Sequence, residues 1–380
     1  MNFPDPRRQT PSPSRILIRG TNWLGDAVMT TPALLRLRAN FPEAHIALLT
    51  PEKLRELWLH HPAVNETVPI VPEQSVFSVG NRLRAGRFDL ALVLPNSPRS
   101  ALETWLARIP QRIGYARPWR NRLLTWTIPD RGDAVKMQKR SIGEIKRLVA
   151  ANVGPKPETP DSRRQTPPSA HQIHEYLHLV AALGANPEPL PPHLFVTPAE
   201  VESARKKFGL EKIGGPIFGL NPGAEYGPAK RWPLDKFIAA AREVQQRTGC
   251  TWLVFGGPAE TALADQIESA IPSPPSAIWK LAGKTSLREL MALLKLCRVL
   301  LTNDTGPMHV AAALGTPVVV PFGSTSPELT GPGLPGDARH RPLKSDAPCS
   351  PCFLRECPID FRCLNGIGVE RVVEAVLSAI

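Results

Sequence analysis

The stretch that predicts the fold is LLTNDTGPMHVAAALGTPVVVPFGSTS, residues 300–326. Its first residues are an aliphatic run suited to a buried parallel strand, and residues 318–320 form a second run of the same kind. Between the two runs, Pro307 suits the first turn of a helix, and Gly315 is a residue at which a helix commonly ends. The order strand, polar turn, short helix, strand is that of a parallel α/β sheet.

Four residues with ligand-binding potential follow the first of these strands: Asp304, Thr305, Gly306 and His309. Ligands of open α/β sheets bind beyond the carboxyl ends of the strands. The unpaired backbone N–H groups at the start of a helix favour an anion in the same space. We therefore predict that these residues bind a ligand, and the alternative is an ordinary crossover with a well-capped helix.

Length and charge narrow the class of protein. The chain has 380 residues, 42% of them hydrophobic, and a formal net charge of +12. This length exceeds the usual size of one hydrophobic core, which predicts two domains of α/β type. The charge favours an anionic partner, which is nucleic acid, a phosphorylated ligand or an anionic membrane face. No run of 18 apolar residues occurs, so no membrane-spanning segment is expected.

Strand and helix patterns alternate along the chain, which predicts mostly parallel sheets covered on both faces. Residues 15–19 are expected to form the first strand, with helices at residues 27–39 and 52–60 after it. The same alternation restarts near residue 217, after a proline-stiffened linker. We therefore predict two α/β domains, residues 15–190 and residues 191–380.

Two Pro-rich segments are not expected to contribute to either core. Residues 1–14 contain Pro and Arg but no apolar centre, which predicts a disordered lead-in and argues against a secretory signal. Residues 154–169 are predicted to be a surface loop. Without a signal or a spanning segment, the chain is expected to be cytoplasmic, with room for peripheral contact with a membrane.

Asp26 is the candidate general base. It follows the first predicted strand, where the next helix begins, so its carboxylate would lie at the ligand-binding edge of the sheet. There it could accept a proton from an attacking hydroxyl group. The alternative is that Asp26 only caps the helix.

The loop NPGAEYGPAKRWP, residues 221–233, follows the first strand of the second half. Its glycines allow close approach of backbone to a ligand, and Lys230 and Arg231 add positive charge. A diphosphate leaving group requires such compensation, because negative charge grows on it as the bond breaks. The donor-binding candidates here are Asn221, Gly223, Ala224, Lys230 and Arg231. The alternative is a solvated basic loop, and the G-x-x-x-x-G-K-[ST] spacing of a P-loop is absent.

Gly257 and Glu260 follow the next predicted strand of the second half. An acidic residue in this position can accept hydrogen bonds from ribose hydroxyls, as in other nucleotide-binding sheets. A plain turn explains the same pattern equally well.

Polar residues also follow a strand of the first half. The acceptor-binding candidates are Asn96, Ser97, Arg99, Arg117 and Arg120. Arginines suit an acidic or phosphorylated acceptor, because the guanidinium group binds such anions through two parallel hydrogen bonds. Simple solvation of a basic surface is the alternative.

Four of the six cysteines crowd into a C-x2-C-x4-C-x5-C pattern: Cys349, Cys352, Cys357 and Cys363. A cytosolic location argues against disulfides. The pattern is compatible with a zinc or iron–sulfur site. The favoured interpretation is a compact loop of small buried thiols, because no histidine lies nearby to strengthen a metal site.

Taken together, these motifs resemble glycosyltransferase family 9, and within it the ADP-heptose:lipopolysaccharide heptosyltransferases of type II. The matching residues are WLGD at 23–26, LPNS at 94–97, NPGA at 221–224, AKRWP at 229–233, NDTGPMHVAAALG at 303–315 and the cysteine-bearing tail at 349–363. The resemblance covers the chain from about residue 15 onward. The Pro-rich segments depart from the family pattern, and so does the tail, which lacks an expected histidine.

The resemblance implies a GT-B architecture, in which two Rossmann-like domains with parallel sheets face an interdomain cleft. The first domain would bind the acceptor. The second would bind the nucleotide sugar and carry the cysteine-bearing tail loop and a terminal helix. The implied reaction is an inverting, metal-independent transfer from ADP-L-glycero-D-manno-heptose to the inner-core heptose of a lipid A–Kdo–heptose precursor, at the cytoplasmic face of the inner membrane.

Site roles follow from the same resemblance. Asp26 would be the base, and Lys230 would stabilise the departing ADP. Asp304 would hold the heptose hydroxyls, with Thr305, Gly306 and His309 near the diphosphate, and Glu260 would hold the ribose.

Two alternative functions stay open: transfer of another nucleotide sugar or to another acceptor, and a basic nucleic-acid-binding protein. Nucleic acid is not the expected partner, because the basic residues are scattered and no recognised nucleic-acid motif occurs.

Overall fold

The computed structural model describes residues 13–151, 167–271 and 278–380, which form two compact units. The first unit comprises residues 13–134 and 172–195, and the second comprises residues 135–151, 167–171, 196–271 and 278–380. Residues 1–12 of the expected lead-in and residues 154–166 of the expected surface loop lie outside the described residues. The assignment of acceptor binding to the first half and donor binding to the second stays a prediction.

The first unit is built on a parallel sheet with the strand order β3-β2-β1-β4-β5-β6. Its strands are β1 (Arg15–Arg19), β2 (His45–Pro51), β3 (Glu66–Ile70), β4 (Leu90–Val93), β5 (Gln111–Tyr115) and β6 (Trp126–Ile128). Its helices are α1 (Leu24–Met29), α2 (Thr31–Asn40), α3 (Val76–Arg84), α4 (Pro98–Leu106) and α6 (Ile173–Ala181). The helix α5 (Ile142–Ala150), between them in the chain, belongs to the second unit.

The second unit has a parallel sheet with the order β12-β11-β10-β7-β8-β9. Its strands are β7 (Ile217–Asn221), β8 (Thr251–Val254), β9 (Ile278–Lys280), β10 (Leu300–Thr302), β11 (Val318–Pro321) and β12 (Arg341–Leu343). Besides α5, its helices are α7 (Pro198–Lys207), α8 (Leu234–Thr248), α9 (Thr261–Ala270), α10 (Leu287–Leu296), α11 (Gly306–Ala313), α12 (Pro327–Thr330), α13 (Arg362–Asn365) and α14 (Val369–Leu377).

Apolar strand residues form the centre of each unit. In the first, Ile16, Leu17 and Ile18 of β1 are fully buried, because β1 lies between β2 and β4 with helices on both faces. In the second, Trp232 and Trp252 belong to one core cluster that also includes residues of α8 and α14. Central strands that are buried on both faces carry near-continuous apolar runs, which explains why the central strands of both sheets were predicted correctly.

Both sheets have the same strand order when strands are counted within each unit, and it is the classic doubly wound order 3-2-1-4-5-6. The order reverses between β1 and β4 in the first unit and between β7 and β10 in the second. Ligands of doubly wound sheets bind at this switch point, beyond the carboxyl ends of the strands. The fold class predicted from the sequence, α/β with two Rossmann-like units, is therefore confirmed.

Two predicted helices were wrong in detail. The expected single helix at residues 27–39 is two helices, α1 and α2, separated at Thr30. The hydroxyls of Thr30 and Thr31 donate hydrogen bonds to the carbonyls of Ala27 and Val28, three residues earlier, which competes with the regular helical pattern. The expected helix at residues 52–60 is a 3₁₀ helix, Glu52–Trp58.

Candidate active site

Asparagine side chains join the ends of β7 and β10 at the switch point of the second unit. Asn221 and Thr302 are paired in register, and the Asn221 amide donates to the Thr302 hydroxyl at 3.0 Å. The buried Asn303 donates from Nδ2 to the Pro222 carbonyl at 2.7 Å and accepts from the Trp232 N–H at 2.9 Å. These bonds satisfy buried polar groups and fix the loop of residues 221–233 against the end of β10.

Lys230 and Asp304 form the charged centre of this loop cluster. The Lys230 ammonium lies 2.6 Å from Asp304 Oδ2, with the lysine side chain 15% exposed and the aspartate side chain 3% exposed. The Thr325 hydroxyl donates to the same carboxylate oxygen. The sequence predicted the first two residues as ligand-binding, and the structure brings them into direct contact.

The helix α11 begins directly after Asp304. Thr305 is its extended N-cap residue, Gly306 is its first residue and Pro307 follows in the first turn. Thr305 makes no side-chain capping bond. Partial positive charge at a helix start and N–H groups without helical partners favour an anion here.

His309 is an uncharged member of this cluster. Burial lowers the pKa of His309 to about 4, and the nearby His171 and Lys230 lower it further, whereas Asp304 acts in the opposite direction. The imidazole is therefore neutral at pH 7. His309 can donate or accept a hydrogen bond at this site, but it supplies no positive charge.

Arg231 serves the fold of its own loop. Its Nε and Nη2 groups donate to the Ala224 carbonyl at 3.2 and 3.0 Å. Of the two cations predicted to face a diphosphate, only Lys230 therefore lies at Asp304, while the guanidinium closes the loop. The donor role of Arg231 stays a prediction.

Glycines and Glu260 pack tightly beyond the end of β8. A Cβ atom at Gly223 would lie 2.6 Å from Glu260 Cγ, so the loop can approach Glu260 only because residue 223 is glycine. Glu260 Oε2 accepts from the Gly257 N–H at 2.8 Å. The predicted ribose-binding carboxylate thus lies beside Gly223 of the Lys230 loop.

In the first unit, Asp26 lies in the first turn of α1, beyond the end of β1. Its Oδ1 atom accepts a long hydrogen bond of 3.4 Å from Gln172 Nε2, and the same amide donates to the Tyr176 hydroxyl at 2.9 Å. Burial raises the pKa of Tyr176 well above its ordinary value, and the charge of Asp26 adds to this effect. Tyr176 therefore stays protonated next to the carboxylate.

The acceptor-binding candidates each have structural partners. Ser97 caps α4 by accepting from the Ser100 N–H at 3.2 Å, and Arg99 Nε lies 3.2 Å from Glu103 Oε1. Arg117 forms an ion pair of 2.6 Å with Asp130. Arginines already engaged in this way are less available to a phosphorylated acceptor.

Arg120 is fully buried beneath the end of β4. Its Nη1 group donates to the Pro95 carbonyl at 2.6 Å and to the Asn96 side chain at 3.3 Å. Burial lowers the pKa of Arg120 to about 10, with a further contribution from Arg117. Of these five candidates, Asn96, Ser97 and Arg99 are exposed, and all five acceptor roles stay predictions.

The four clustered cysteines line one small cavity together with Ala229 and Ser324, residues of the loops that carry Lys230 and Thr325. Burial raises the pKa of Cys363 to about 12, and it also raises the pKa values of Cys349 and Cys352. Within the described parts of the chain, no group of three or more His, Cys, Asp or Glu side chains is arranged to hold a metal ion. The expectation that these cysteines hold no metal stays a prediction, with a metal site as the less favoured alternative.

Several site residues were not found from the sequence. Thr325, Gln172 and Tyr176 are distant in sequence from the predicted residues near which they lie, and Asn303 belongs to the motif at residues 303–315 but had no predicted role. Tyr226 is another, because its ring lies 4.9 Å from the Lys230 ammonium. It belongs to the 221–233 loop, but no role was predicted for it.

Among the described residues, no helix is both long enough and apolar enough to span a membrane. Two doubly wound sheets, each with polar residues at its switch point, place the chain in the class of doubly wound α/β proteins, whose ligands bind at such switch points.

Comparison with known proteins identifies the family. The sequence profile of glycosyltransferase family 9 (heptosyltransferase) matches residues 158–361. Lipopolysaccharide heptosyltransferase 2 of Salmonella typhimurium is 32% identical over 328 residues, which cover 84% of this chain and 85% of that protein. Lipooligosaccharide heptosyltransferase 2 of Haemophilus influenzae is 31% identical over 326 residues, covering 83% and 85%.

The solved structure of E. coli ADP-heptose lps heptosyltransferase II superimposes with a TM-score of 0.75 at 28% identity, over 96% of this chain and 98% of that one. The fold is therefore that of the GT-B heptosyltransferases. The chain belongs to glycosyltransferase family 9, and it is a glycosyltransferase.

Proposed function

We propose that this enzyme transfers heptose from ADP-L-glycero-D-manno-heptose to the inner-core heptose of a lipopolysaccharide precursor, with inversion at the transferred carbon. Relatives named as lipopolysaccharide and lipooligosaccharide heptosyltransferase 2 support heptose transfer. The structure named for ADP-heptose, at 28% identity, supports the donor. The observation that carries the proposal is the contact of Lys230 with Asp304 at the start of α11.

The second unit is the proposed donor-binding unit. As the bond between the anomeric carbon and the β-phosphate oxygen breaks, its electron pair goes to ADP, and negative charge grows on the diphosphate. Lys230 and the start of α11 would stabilise that charge. His309 is neutral and Arg231 is bonded to Ala224, so this compensation depends mainly on Lys230.

Asp304 has a second proposed role. Its carboxylate is almost fully buried and is held by Lys230 and Thr325. Hydroxyl groups of a sugar are suitable donors to such a fixed carboxylate. When the donor binds, the diphosphate would compete for Lys230, and Asp304 would gain heptose hydroxyls as partners. Glu260 is the proposed partner of the ribose hydroxyls.

Asp26 in the first unit is the proposed general base. The acceptor hydroxyl oxygen would form the new bond to the anomeric carbon on the face opposite the leaving group, and its proton would go to the Asp26 carboxylate. Gln172 donates a long hydrogen bond to this carboxylate. Asn96, Ser97 and the arginines of the first unit are the proposed contacts of the phosphorylated acceptor.

The cytoplasm, with contact at the inner face of the inner membrane, is the proposed location. The net charge of +12 favours an anionic membrane surface. In the first unit, Trp119 is 90% exposed and lies close in sequence to the exposed Arg122, a combination suited to a membrane interface. Co-sedimentation with phosphatidylglycerol vesicles, but not with phosphatidylcholine vesicles, would support this contact, and equal binding to both would contradict it.

Donor choice is tested by calorimetry. ADP-heptose is expected to bind, whereas UDP- and GDP-sugars are expected to give no measurable heat. Preference for another nucleotide sugar would favour the rival transferase within the family. Tight, steeply salt-dependent binding to random oligonucleotides would instead favour a nucleic-acid-binding protein.

Leaving-group stabilisation is tested with Lys230→Ala. Removing one electrostatic contact to a developing charge lowers kcat by roughly 10²–10³-fold. The matched control is Lys206→Ala, an exposed lysine of α7 in the same unit, which is expected to keep wild-type kcat. Heptosyl transfer by Lys230→Ala at the wild-type rate would refute the proposed mechanism.

A further inference from the structure

Tyr226 connects the Lys230 loop (residues 221–233) to the first part of the cysteine-bearing tail. We call this part, residues 349–357, the tail loop. Its ring centroid lies 4.9 Å from the Lys230 ammonium and 5.3 Å from the Arg355 guanidinium carbon. Its hydroxyl donates to the Phe353 carbonyl at 2.9 Å. One aromatic side chain therefore contacts both the catalytic lysine and the tail loop.

Hydrogen bonds to backbone groups also join the Lys230 loop to the tail loop. Arg355 Nε donates to the Tyr226 carbonyl at 2.8 Å, and the Ala229 N–H donates to the Arg355 carbonyl at 3.0 Å. Gly227 has a φ of 148°, and a Cβ atom there would lie 2.6 Å from the Arg355 oxygen. The Lys230 loop is thus built around Arg355 on both sides of Gly227.

The tail loop also holds the loop that carries Thr325. The N–H groups of Cys352 and Phe353 donate to the Ser324 carbonyl at 3.1 and 2.7 Å. The Ser350 hydroxyl donates to the Gly323 carbonyl at 2.7 Å. Lys230 and Thr325, which both contact Asp304, are therefore supported by the same segment.

We propose that Tyr226, held by Arg355 of the tail loop, is a positioning residue that keeps the Lys230 ammonium at the diphosphate site during transfer. This inference rests on the proposed function of Lys230 in stabilising ADP. It adds a role for the tail loop that the motifs did not assign.

The physical reason is the flexibility of lysine. Its ammonium group sits on a four-carbon stem with many rotamers, and it has three N–H donors. An aromatic face attracts the cation without occupying an N–H group that a phosphate oxygen needs. Asp304 cannot hold the lysine in this way, because its carboxylate competes with the diphosphate for the N–H donors of the ammonium group. The ring therefore restricts the lysine while leaving its donors available.

The proposal predicts an effect on kcat more than on donor binding. Tyr226→Leu removes the aromatic face and is expected to lower kcat about tenfold, within the range of a partly desolvated cation–π contact, with the donor KM changed less than about twofold. Tyr226→Phe keeps the face and loses only the bond to Phe353, so it is expected to retain kcat within about threefold. Rescue by the aromatic variant separates positioning from a general loss of packing.

The decisive measurement is a double-mutant cycle with Lys230→Ala. If Tyr226 acts through Lys230, then Tyr226→Leu costs less than about twofold in kcat once the lysine is absent. The same tenfold loss in both backgrounds would overturn the proposal, and so would wild-type kcat in Tyr226→Leu. The matched control is Phe208→Leu, which removes another lysine–aromatic contact of the second unit, Lys207 at 5.4 Å from the ring, and is expected to keep wild-type kcat.

Folding is checked by thermal unfolding of each variant. If Tyr226→Leu does not fold, Arg355→Gln takes its place in the double-mutant cycle. Arg355 has an exposed side chain, and this substitution removes its hydrogen bond to the Tyr226 carbonyl. The hydrogen bond from the Ala229 N–H to the Arg355 backbone carbonyl is kept. Wild-type kcat in Lys230→Ala would refute the proposed role of Lys230 in stabilising ADP, on which this inference rests. A slow Lys230→Ala together with an unaffected Tyr226→Leu would refute only the positioning role.

Discussion

The Lys230 ammonium lies 2.6 Å from the Asp304 carboxylate, and the two partners differ in burial: the lysine side chain is 15% exposed and the aspartate side chain 3%. Losing one partner of a buried pair leaves the other charge uncompensated. The lysine can turn its flexible chain toward water, whereas the aspartate cannot leave the start of α11. The pair is therefore asymmetric in its contribution to stability.

This asymmetry gives the first prediction. Lys230→Met leaves the buried Asp304 carboxylate without its counter-charge and is expected to lower the free energy of unfolding by about 2–4 kcal/mol. Asp304→Asn is expected to lower it by about 1–2 kcal/mol. Urea denaturation monitored by tryptophan fluorescence measures the free energy of unfolding of both variants and shows which one is less stable. A larger loss in Asp304→Asn than in Lys230→Met would contradict the assigned burial.

Gly227 provides a backbone test of the contact with the tail loop. Gly227→Ala combines a φ of 148° with a Cβ atom 2.6 Å from the Arg355 carbonyl oxygen, so a destabilisation of about 2 kcal/mol or more is expected. Gly214→Ala is the matched control, because its Cβ atom would meet nothing within 4 Å, and a change within about 0.5 kcal/mol is expected. Equal stability of the two variants would argue against the close approach.

Stability is expected to fall in acid through buried histidines. Burial lowers the pKa of His61 to about 4, and the nearby His193 adds to this effect. Between the ordinary value of 6.5 and about 4, the unfolded chain binds a proton that the folded chain does not, so stability decreases as the pH falls through this window and levels off below it.

The variant His61→Leu isolates this contribution. Its side chain enters a site next to the rings of Trp58 and Phe195, so the fold is expected to persist. Between pH 7 and pH 4, wild type is expected to lose on the order of 3 kcal/mol more than the variant. Parallel stability curves for the two proteins would exclude His61 as an acid-sensitive group.

Metal removal is expected to leave the reaction unchanged. In the proposed mechanism Lys230 and the start of α11 stabilise the departing diphosphate, so no divalent cation is needed for that step. Dialysis against EDTA, followed by assay in metal-free buffer, is expected to preserve kcat. A loss of activity that added magnesium restores would require a different source of charge compensation.

Much of the architecture could be predicted from the sequence. The first strand begins and ends at the predicted residues, Arg15 and Arg19. Buried central strands carry long apolar runs, which are a strong local signal. The edge strands β3, β6, β9 and β12 were not predicted, because edge strands have a less continuous apolar pattern and depend on pairing with a neighbour.

The site was predictable only as far as topology determines it. Both Lys230 and Asp304 were predicted to bind a ligand beyond strand ends, and the observed adjacency of β7 and β10 at the switch point explains why the loops that carry them meet. The contacts of Thr325 and Tyr226 depend on how separate loops pack, and no local pattern encodes that. The same limit applies to Arg120: its full burial was not foreseen from the sequence, and its predicted acceptor role stays untested.

The central claim is that Asp26 accepts the proton of the attacking hydroxyl while the second unit holds the donor. Asp26→Asn keeps the size of the side chain and removes its basicity. Its effect is best measured by single-turnover heptosyl transfer from ADP-heptose, together with calorimetric donor binding. The control is Asp133→Asn, an exposed aspartate of the same unit that is expected to keep wild-type transfer.

We predict that Asp26→Asn binds ADP-heptose with wild-type affinity and transfers heptose about 10²–10⁴-fold more slowly, which is the usual contribution of a general base. Transfer by Asp26→Asn at a rate close to wild type would contradict the account.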